Sequence, residues 1–287
     1  MTNLNNDERN YLEFLNLVKN EGIKKNTRNG ITYSYFAYLL KFNISNHFPL
    51  LTTKKMFFKG IVEELLWFLR GSVNSKELES KGVNIWKGNS SREYLDSNGF
   101  SNYEEGYLGP IYGYQWRSFN GKIDQLKYLL EELKLENSRR ILINAWNPCQ
   151  LHEQALPPCH ILYNFFKNND EISCMMYMRS SDLFLGLPFN IASTALLTYI
   201  IAKVTGFKVK EIAISICDCH IYEEHLEPLN IQMERNPYEF PSIHIKKEID
   251  INNLSIDEKI KWIENLTFED FELINYNCYP TIKAIMK

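Results

Sequence analysis

The sequence predicts an α+β protein in which one large mixed sheet is packed by helices, a three-layer α/β arrangement formed by a single domain over residues 1–287. Segments rich in β-branched and aromatic residues alternate with amphipathic or wholly apolar helical segments. The connections between them are mostly short, and neither an internal repeat nor a linker rich in Pro, Gly or Ser divides the chain. Hydrophobic residues make up 45% and charged residues 23% of the chain, a composition that supports a sizeable core.

The chain begins with a predicted amphipathic helix within residues 1–25. Asp7 is its candidate N-cap and Gly22 its stop signal, and apolar residues recur between them at helical spacing. An aromatic-rich strand is predicted over 31–42. Residues 57–69 are apolar on nearly all sides, which indicates a helix buried in the core.

The rest of the chain supplies most of the predicted sheet. Residues 86–110 form the one long loop of this prediction, and such loops are more often functional than idle. Apolar spacing predicts an amphipathic helix over 123–133 and a second buried helix over 190–204. Four further strands are predicted over 141–146, 161–166, 172–178 and 209–218.

Charge and cysteine content exclude several classes of protein. Against 32 Lys and Arg stand 35 Asp and Glu, so no strongly basic surface is expected for nucleic acid or anionic lipid. The N-terminus has no secretory signal pattern, and the apolar stretches are too short to predict a membrane span. Six cysteines are too few for a disulfide scaffold. We therefore expect a cytoplasmic protein, with the nucleus as the alternative compartment.

Cys159 is a candidate nucleophile. Pro157 and Pro158 precede it and restrict the backbone at this point. An ordinary thiol has a pKa of about 8.5, so a nucleophilic thiolate needs a nearby cation, for which arginine is the obvious candidate. The adjacent His160 is a poor base, because consecutive side chains of a strand point to opposite faces. A buried structural cysteine is the alternative interpretation.

Two neighbouring carboxylates, Glu63 and Glu64, lie on the predicted helix over 57–69. They point about 100° apart, so at most one easily reaches solvent if the helix is buried. A buried carboxylate has either a polar partner or a raised pKa suited to proton transfer. The segment leaves both interpretations open.

Arginines and one asparagine are candidates for anion and base recognition. Arg28, the pair Arg139 and Arg140, and Arg179 beside Ser180 occur in settings suited to phosphate, although surface ion pairing is the alternative for each. No Gly-rich phosphate-binding motif is present. Asn190 is either the N-cap of its helix or an amide that contacts the edge of a base. The spacing of the residues from Cys217 to His220, with His225 following, is a poor match to a zinc site, and no metal is predicted.

Eight segments together resemble the thymidylate synthase family over nearly the whole chain. They are FPLLTTKK at Phe48, EELLWFLRG at Glu63, LGPIYGYQWR at Leu108, SRRI at Ser138, ALPPCH at Ala155, RSSD at Arg179, LGLPFNIAS at Leu185 and DCHIY at Asp218. The resemblance implies the fold of that family. It also implies reductive methylation of dUMP to dTMP, with 5,10-methylenetetrahydrofolate as donor of the one-carbon unit and the hydride.

The resemblance implies a role for each candidate residue. Cys159 corresponds to the nucleophile that adds to C6 of uracil, and Glu64, Tyr112, Arg179 and Asn190 correspond to its catalytic partners. The dUMP ligands would be Arg28, Arg139, Arg140, Arg179, Ser180, Ser181, Asp182, Asn190, His220 and Tyr222. The folate ligands would be Phe57, Ile85, Trp86, Asn89, Asp182, Leu185, Gly186, Phe189 and Met286. Arg139 and Arg140 correspond to a pair supplied by the partner subunit, so an obligate homodimer is implied.

The chain departs from the family pattern at several positions. Met178 replaces the usual Gln, Cys217 the usual Gly, Lys87 the common Asp and Lys55 an Arg. The closing tail, 282–287, ends in Lys287 rather than in a small or apolar residue. These departures affect the expected rate and folate affinity more than the expected reaction.

Two alternatives to the synthase function are distinguishable. A nucleotide hydroxymethylase of the same fold would add water instead of hydride, but Trp86 and Asn190 favour the synthase. A catalytically idle dimer that binds RNA is the other alternative, and the absence of a basic stripe argues against it.

Overall fold

The computed structural model describes residues 5–286, and its strands form one large sheet and one small one. The strands are β1 (Ile23–Thr27), β2 (Gly30–Asn43), β3 (Leu142–Asn144), β4 (His160–Asn168), β5 (Glu171–Asp182), β6 (Lys208–Tyr222), β7 (Ser242–Ile245) and β8 (Phe271–Ile274). The large sheet has six strands in the order β1-β2-β6-β5-β4-β3, and β7 pairs with β8. Only β5 and β6 run parallel in the large sheet, so it is mixed as predicted.

The helices pack against this sheet and against one another. They are α1 (Asn6–Glu21), α2 (Phe58–Leu69), α3 (Lys76–Glu79), α4 (Arg92–Ser97), α5 (Tyr112–Ser118), α6 (Gln125–Lys134), α7 (Gly186–Thr205), α8 (Leu226–Met233) and α9 (Ile256–Glu264). The predicted α+β class, with a mixed sheet packed by helices, is confirmed.

Helix α7 joins the parallel strands β5 and β6, a connection that requires a crossover. It begins at Gly186 rather than at the predicted position 190, because Pro188 lies in the first turn, where its missing N–H is not needed. Gly206 ends it in the left-handed region at φ 84°. The helix is long and apolar enough to cross a membrane, contrary to the expectation from the shorter segment. However, 78% of its apolar window is buried within the protein, as in a core helix.

Two predicted helix starts were wrong. The N-cap of α1 is Asn5, whose side chain accepts from the N–H of Glu8, whereas Asp7 lies inside the helix and accepts from the N–H of Asn43. Helix α6 starts after Asp124, whose carboxylate accepts two backbone N–H groups, and Ile123 before it is 52% exposed. In both cases a polar side chain caps the helix and determines where it starts.

The predicted long loop over 86–110 contains helical structure. It includes a 3₁₀ turn at Gly88–Ser90 and helix α4, which Ser91 caps by accepting from the N–H of Tyr94. Only Leu95 of this helix is buried, so the segment carries no helical periodicity that sequence analysis detects.

One face of the large sheet carries exposed apolar side chains. Leu39 of β2 pairs with Ser215, which also pairs with Tyr177 of β5, so these residues share a face. Met175 and Phe166 lie on the same face by register, and the exposed fractions of Leu39, Met175 and Phe166 are 50%, 44% and 67%. Ile212, Ile214 and Ile216 of β6 are instead buried in the core.

Candidate active site

The Cys159 thiol lies immediately before β4, beside Arg179 of the adjacent strand β5. The Arg179 guanidinium donates to the carbonyls of Pro158 at 2.8 Å and Pro157 at 3.1 Å, and one of its nitrogens lies 3.7 Å from Sγ of Cys159. The backbone N–H of Arg179 also donates to the Cys159 carbonyl at 3.0 Å. The structure therefore places beside the thiol the cation that its sequence context requires.

The half-buried Cys159 thiol is not ionised at rest. Burial raises the pKa of this thiol, and the positive charge of Arg179 opposes the rise without cancelling it. The neutral thiol is therefore favoured, and the charge of Arg179 lowers the cost of forming a thiolate at this position.

The Tyr112 hydroxyl connects helix α5 to the backbone of the nucleophile candidate, because it accepts from the N–H of Cys159 at 2.7 Å. Its ring stacks on His160 with the centroids 4.2 Å apart. The His160 ring also contacts the Tyr163 hydroxyl, at 3.1 Å, and burial lowers the pKa of His160 to about 3. His160 is therefore neutral and packed against aromatic rings, as expected of a residue that is not the base for Cys159.

The two adjacent glutamates of α2 have different environments. Glu63 is 5% exposed and its carboxylate is paired with Lys81 at 2.6 Å. Glu64 instead accepts from Nε1 of Trp86 at 2.7 Å, and burial raises its pKa to about 7 although this hydrogen bond opposes the rise. Glu64 also acts electrostatically on Tyr112, so it belongs to the same site as the thiol. Its carboxyl can gain or lose a proton near neutral pH.

The parallel pairing of β5 and β6 brings two polar segments together. Ser180 pairs with Asp218 and Asp182 pairs with His220. The Ser180 hydroxyl lies 3.4 Å from Nδ1 of His220, which lies 3.3 Å from the Asp218 carboxylate. Because parallel strands end at the same edge of a sheet, these groups form one polar surface next to Arg179.

Ser181 and Asp182 complete the end of β5. The Ser181 hydroxyl is buried and has no hydrogen bond within residues 5–286. Oδ1 of Asp182 accepts from the N–H groups of Phe184 and Leu185, which turns the chain into α7. Burial raises the pKa of Asp182, but pairing with His225 and the N–H of Phe184 outweigh it and hold the pKa below its usual value.

Three of the predicted phosphate arginines lie apart from this cluster. Arg28 is exposed in the turn between β1 and β2, and its charge acts on Tyr222 at the end of β6. Arg139 and Arg140 are exposed before β3, and their side chains form neither an ion pair nor a hydrogen bond with the part of the chain that the structure describes. One copy of the chain does not bring this pair to Cys159 by any direct contact.

The predicted folate residues form a partly open wall. Trp86 is 8% exposed and its ring lies 5.9 Å from that of Tyr112, while Phe57 is 44% exposed before α2. Ile85, Asn89, Leu185, Gly186 and Phe189 are half-buried. Met286 is 63% exposed, and the final Lys287 lies outside the described residues.

Asn190 is not an N-cap. It lies inside α7, its carbonyl accepts from the Thr194 hydroxyl, and it is half-buried. Its side-chain amide makes no hydrogen bond within residues 5–286, so this amide keeps its donors and its acceptor available.

Comparison with known proteins identifies the family of this chain. The thymidylate synthase family model matches residues 9–287. The chain belongs to the thymidylate synthase family. It is 45% identical to the thymidylate synthase of Homo sapiens over 96% of this chain and 89% of that protein. It is 42% identical to the thymidylate synthase of human herpesvirus 8 over 98% of this chain and 84% of that protein.

Some relatives are longer proteins. The chain is 46% identical to the bifunctional dihydrofolate reductase-thymidylate synthase of Paramecium tetraurelia over 97% of this chain, but it spans only 61% of that protein. Membership of the thymidylate synthase family makes the chain a methyltransferase that forms dTMP from dUMP. The predicted roles of individual site residues stay predictions.

Several departures from the thymidylate synthase pattern have a clear location. Met178 is 1% exposed and packs in the core, whereas Cys217 is half-buried on β6. Lys55 and Lys87 are both exposed.

Two ionisable groups near Asp182 were not among the predicted site residues. Lys54 is 5% exposed, and burial lowers its pKa to about 7. His225 is fully buried and lies 3.7 Å from the Asp182 carboxylate. From the sequence, His225 is only the last residue of a weak zinc motif. Its partners Asp182 and Ile285 are distant in sequence, so no local pattern indicates its contacts. A run of polar residues in an otherwise apolar segment, such as Thr52 to Lys54, is the one local signal available.

Proposed function

We propose that the chain catalyses the reductive methylation of dUMP to dTMP with 5,10-methylenetetrahydrofolate, through a covalent bond between Cys159 and C6 of uracil. The observation that carries this proposal is the Cys159 thiol held 3.7 Å from Arg179, with Glu64 and Tyr112 in the same site. A thiol beside a cation, together with a carboxyl group whose pKa is about 7, suits nucleophilic addition followed by proton transfers.

The nucleotide would bind along the edge formed by β5 and β6. Arg179 and Ser180 supply a cation and a hydroxyl for its phosphate, and His220 with Tyr222 supplies polar groups for the deoxyribose. The unpartnered amide of Asn190 has the donor and the acceptor that uracil requires at O4 and N3. Cytosine presents the reverse pattern there, so this amide favours dUMP over dCMP.

Each chemical role follows from the position of one side chain. The Cys159 sulfur forms a bond to C6 as it loses its proton, and the electron pair of the C5–C6 double bond moves to C5 and O4. Glu64 holds or returns a proton at O4, and Tyr112 lies beside the proton that leaves C5. Expulsion of the Cys159 thiolate at the end breaks the S–C6 bond and restores the double bond.

The residues present fit a folate. Oδ2 of Asp182 has no hydrogen bond within the described residues, so it is free to accept from N–H groups of a pterin. Trp86 and the half-buried Phe189 offer aromatic surface for a flat ring. When bound, the folate supplies the one-carbon unit and the hydride. Asp182, Trp86, Leu185 and Phe189 would hold it, and the tail that contains Met286 would exclude water.

We infer that the functional unit is a homodimer. The sheet face that carries Leu39, Phe166 and Met175 exposes apolar side chains of a kind that monomeric proteins usually cover. A second copy docked on this face would bury them, and a twofold interface is the commonest solution. Arg139 and Arg140, whose side chains make no ion pair or hydrogen bond within the described part of their own chain, would then contact the nucleotide of the other subunit.

The test is an assay with dUMP and methylenetetrahydrofolate that follows dihydrofolate by absorbance and the nucleotide product by mass. We expect dihydrofolate and dTMP in equal amounts. Cys159→Ala protein should fold and dimerise but form neither product nor a covalent dUMP complex. A hydroxymethylated nucleotide without dihydrofolate would indicate the hydroxymethylase instead. Turnover by Cys159→Ala protein would exclude Cys159 as the nucleophile.

A further inference from the structure

His225 connects the end of the sheet to the C-terminal segment. It lies in the 3₁₀ turn Glu223–His225 directly after β6 and is fully buried. Its Nε2 lies 2.8 Å from the carbonyl oxygen of Ile285, and its Nδ1 lies 3.7 Å from Oδ1 of Asp182. The rings of Phe184 and Tyr222 pack around it at 5.5 and 5.4 Å. The imidazole thus bridges a predicted folate ligand and the closing tail.

Both partners of this imidazole are hydrogen-bond acceptors. A carbonyl and a carboxylate each require a hydrogen on the nitrogen that faces them, so only the doubly protonated ring suits both. Burial lowers the pKa of His225, but Asp182 and the Ile285 carbonyl raise it more, so that the pKa lies above its usual value. The buried Nδ1 makes no hydrogen bond within the described residues, so its contact with the Asp182 carboxylate at 3.7 Å is one of charge attraction.

Titratable groups around the His225–Asp182 pair come from four other segments of the chain. Asp182 at the end of β5 favours the protonated ring, whereas Lys54, in the segment before α2, opposes it. The Lys54 ammonium contacts the Phe184 carbonyl and lies 3.8 Å from the Phe184 ring centroid. Tyr222 of β6 and Tyr11 of α1 have pKa values raised by burial and stay neutral. The Asp182 carboxylate is therefore the negative charge that holds the His225 proton.

The tail is held by packing of Ile282 and Ala284 against the core and, at its end, by the contact with His225. Within the described residues, no other hydrogen bond involves residues 281–286. Ile285 and Met286 are 68% and 63% exposed, so their side chains contribute little packing. The position of Ile285 and Met286, beyond the packed Ile282 and Ala284, therefore depends on one hydrogen bond from one buried histidine.

We propose that His225 is a positioning residue that, in its protonated form, fastens the C-terminal segment at Ile285 to the folate-facing carboxylate of Asp182. The proposal rests on the proposed function for its effect on folate. It gives the chain a closing device that is held most firmly at low pH and loosens as pH rises, because the neutral ring can donate to Ile285 or to Asp182 but not to both, with no contact between His225 and the reacting atoms.

The primary experiment measures the attachment of the tail without reference to activity. Wild-type, His225→Phe and His225→Gln proteins are treated with carboxypeptidase from pH 5.5 to 9, and release of the C-terminal residues is timed by mass spectrometry. His225→Phe keeps a ring but no donor, so release should be about tenfold faster at low pH, the effect of losing one hydrogen bond. His225→Gln keeps a neutral donor, so its release rate should not vary with pH. Wild-type protection should decline as pH rises.

Enzyme kinetics provide the second readout. The KM for folate should rise several-fold in His225→Phe, while kcat changes less and the binding of dUMP alone stays unchanged. His152→Gln, a change at a histidine whose side chain is 77% exposed, is the matched control. In protein truncated after Ala284, the His225→Phe change should have no further effect on the folate KM, since the tail carbonyl is already absent.

The outcomes separate the two proposals. Equal carboxypeptidase release in wild-type and His225→Phe proteins, or the same pH dependence in His225→Gln as in wild type, would overturn the role of His225 whatever the activity. Absence of dTMP formation by the wild type would overturn the proposed function, while the release experiment would still test the attachment of the tail.

Discussion

At the residue scale, Glu63 and Glu64 are adjacent buried carboxylates with different partners. They are neighbours on α2, yet Glu63 is paired with Lys81 at 2.6 Å while Glu64 accepts only the indole N–H of Trp86. The positive charge of Lys81 offsets the cost of burying the Glu63 carboxylate, whereas the neutral indole N–H does not offset that cost for Glu64. The pKa of Glu64 consequently rises to about 7, and its proton becomes available for exchange at neutral pH.

Because the pKa of Glu64 is raised, its ionised carboxylate destabilises the folded protein at high pH. Its folded-state pKa of about 7 exceeds the unfolded value, so the folded protein holds the extra proton and its stability falls as pH rises through this window. Glu64→Gln, which keeps an acceptor for Trp86, should raise the free energy of unfolding at pH 8 by about 1 to 2 kcal/mol and have little effect at pH 4.5. It should also lower kcat by about 100-fold or more.

Denaturant unfolding at the two pH values measures the change. The control is Glu63→Gln, which breaks the ion pair with Lys81 and should destabilise the protein at pH 8. If Glu64→Gln and Glu63→Gln shift stability in the same direction at pH 8, the assignment of the unpaired carboxylate to Glu64 is wrong.

At the element scale, helix α7 connects the two parallel strands whose paired ends form part of the site. It crosses from β5 to β6, which pair in a register that places Ser180 beside Asp218 and Asp182 beside His220. The chain leaves the helix through Gly206, at φ 84°, and enters β6 only two residues later. A Cβ at this glycine would lie 2.8 Å from Cδ1 of Ile251, so both the backbone and the packing favour glycine.

Gly206→Ala should therefore destabilise the protein by about 1 to 3 kcal/mol, from left-handed strain together with the contact with Ile251. Gly99→Ala is the matched control, since Gly99 has φ 86° but no atom within 4 Å of the added Cβ. It should cost about 1 kcal/mol, the strain alone. Thermal and denaturant unfolding compare the two variants. Equal losses would show that the packing against Ile251 contributes nothing.

At the scale of the whole molecule, we propose that two copies of the chain contribute residues to each site. Cys159, Arg179, Glu64 and Tyr112 are assembled within one copy, but Arg139 and Arg140 extend from an exposed segment with no ion pair inside residues 5–286. The apolar sheet face offers the surface on which a second copy would dock.

Mixing two inactive variants tests this arrangement. Cys159→Ala protein and Arg139→Ala/Arg140→Ala protein should each be nearly inactive. When the two variants are unfolded and refolded together, about half of the dimers should be hybrids. In each hybrid, one of the two sites combines an intact thiol with intact arginines from the other chain, so about a quarter of wild-type activity should return. If the arginines act within their own chain, no mixture recovers activity. Sedimentation of each variant confirms that dimers form.

The sequence by itself determined the fold class, the two apolar helices, the positions of most strands along the chain and the family, because these depend on local periodicity and on contiguous motifs. Tertiary structure alone decided which residue caps α1, that the loop over 86–110 contains a helix, and which of Glu63 and Glu64 lacks a charged partner. It also decided that His225 meets both Asp182 and Ile285. These outcomes depend on strand pairing and on contacts between distant segments, and a pKa is set by such partners and by burial rather than by neighbours in sequence.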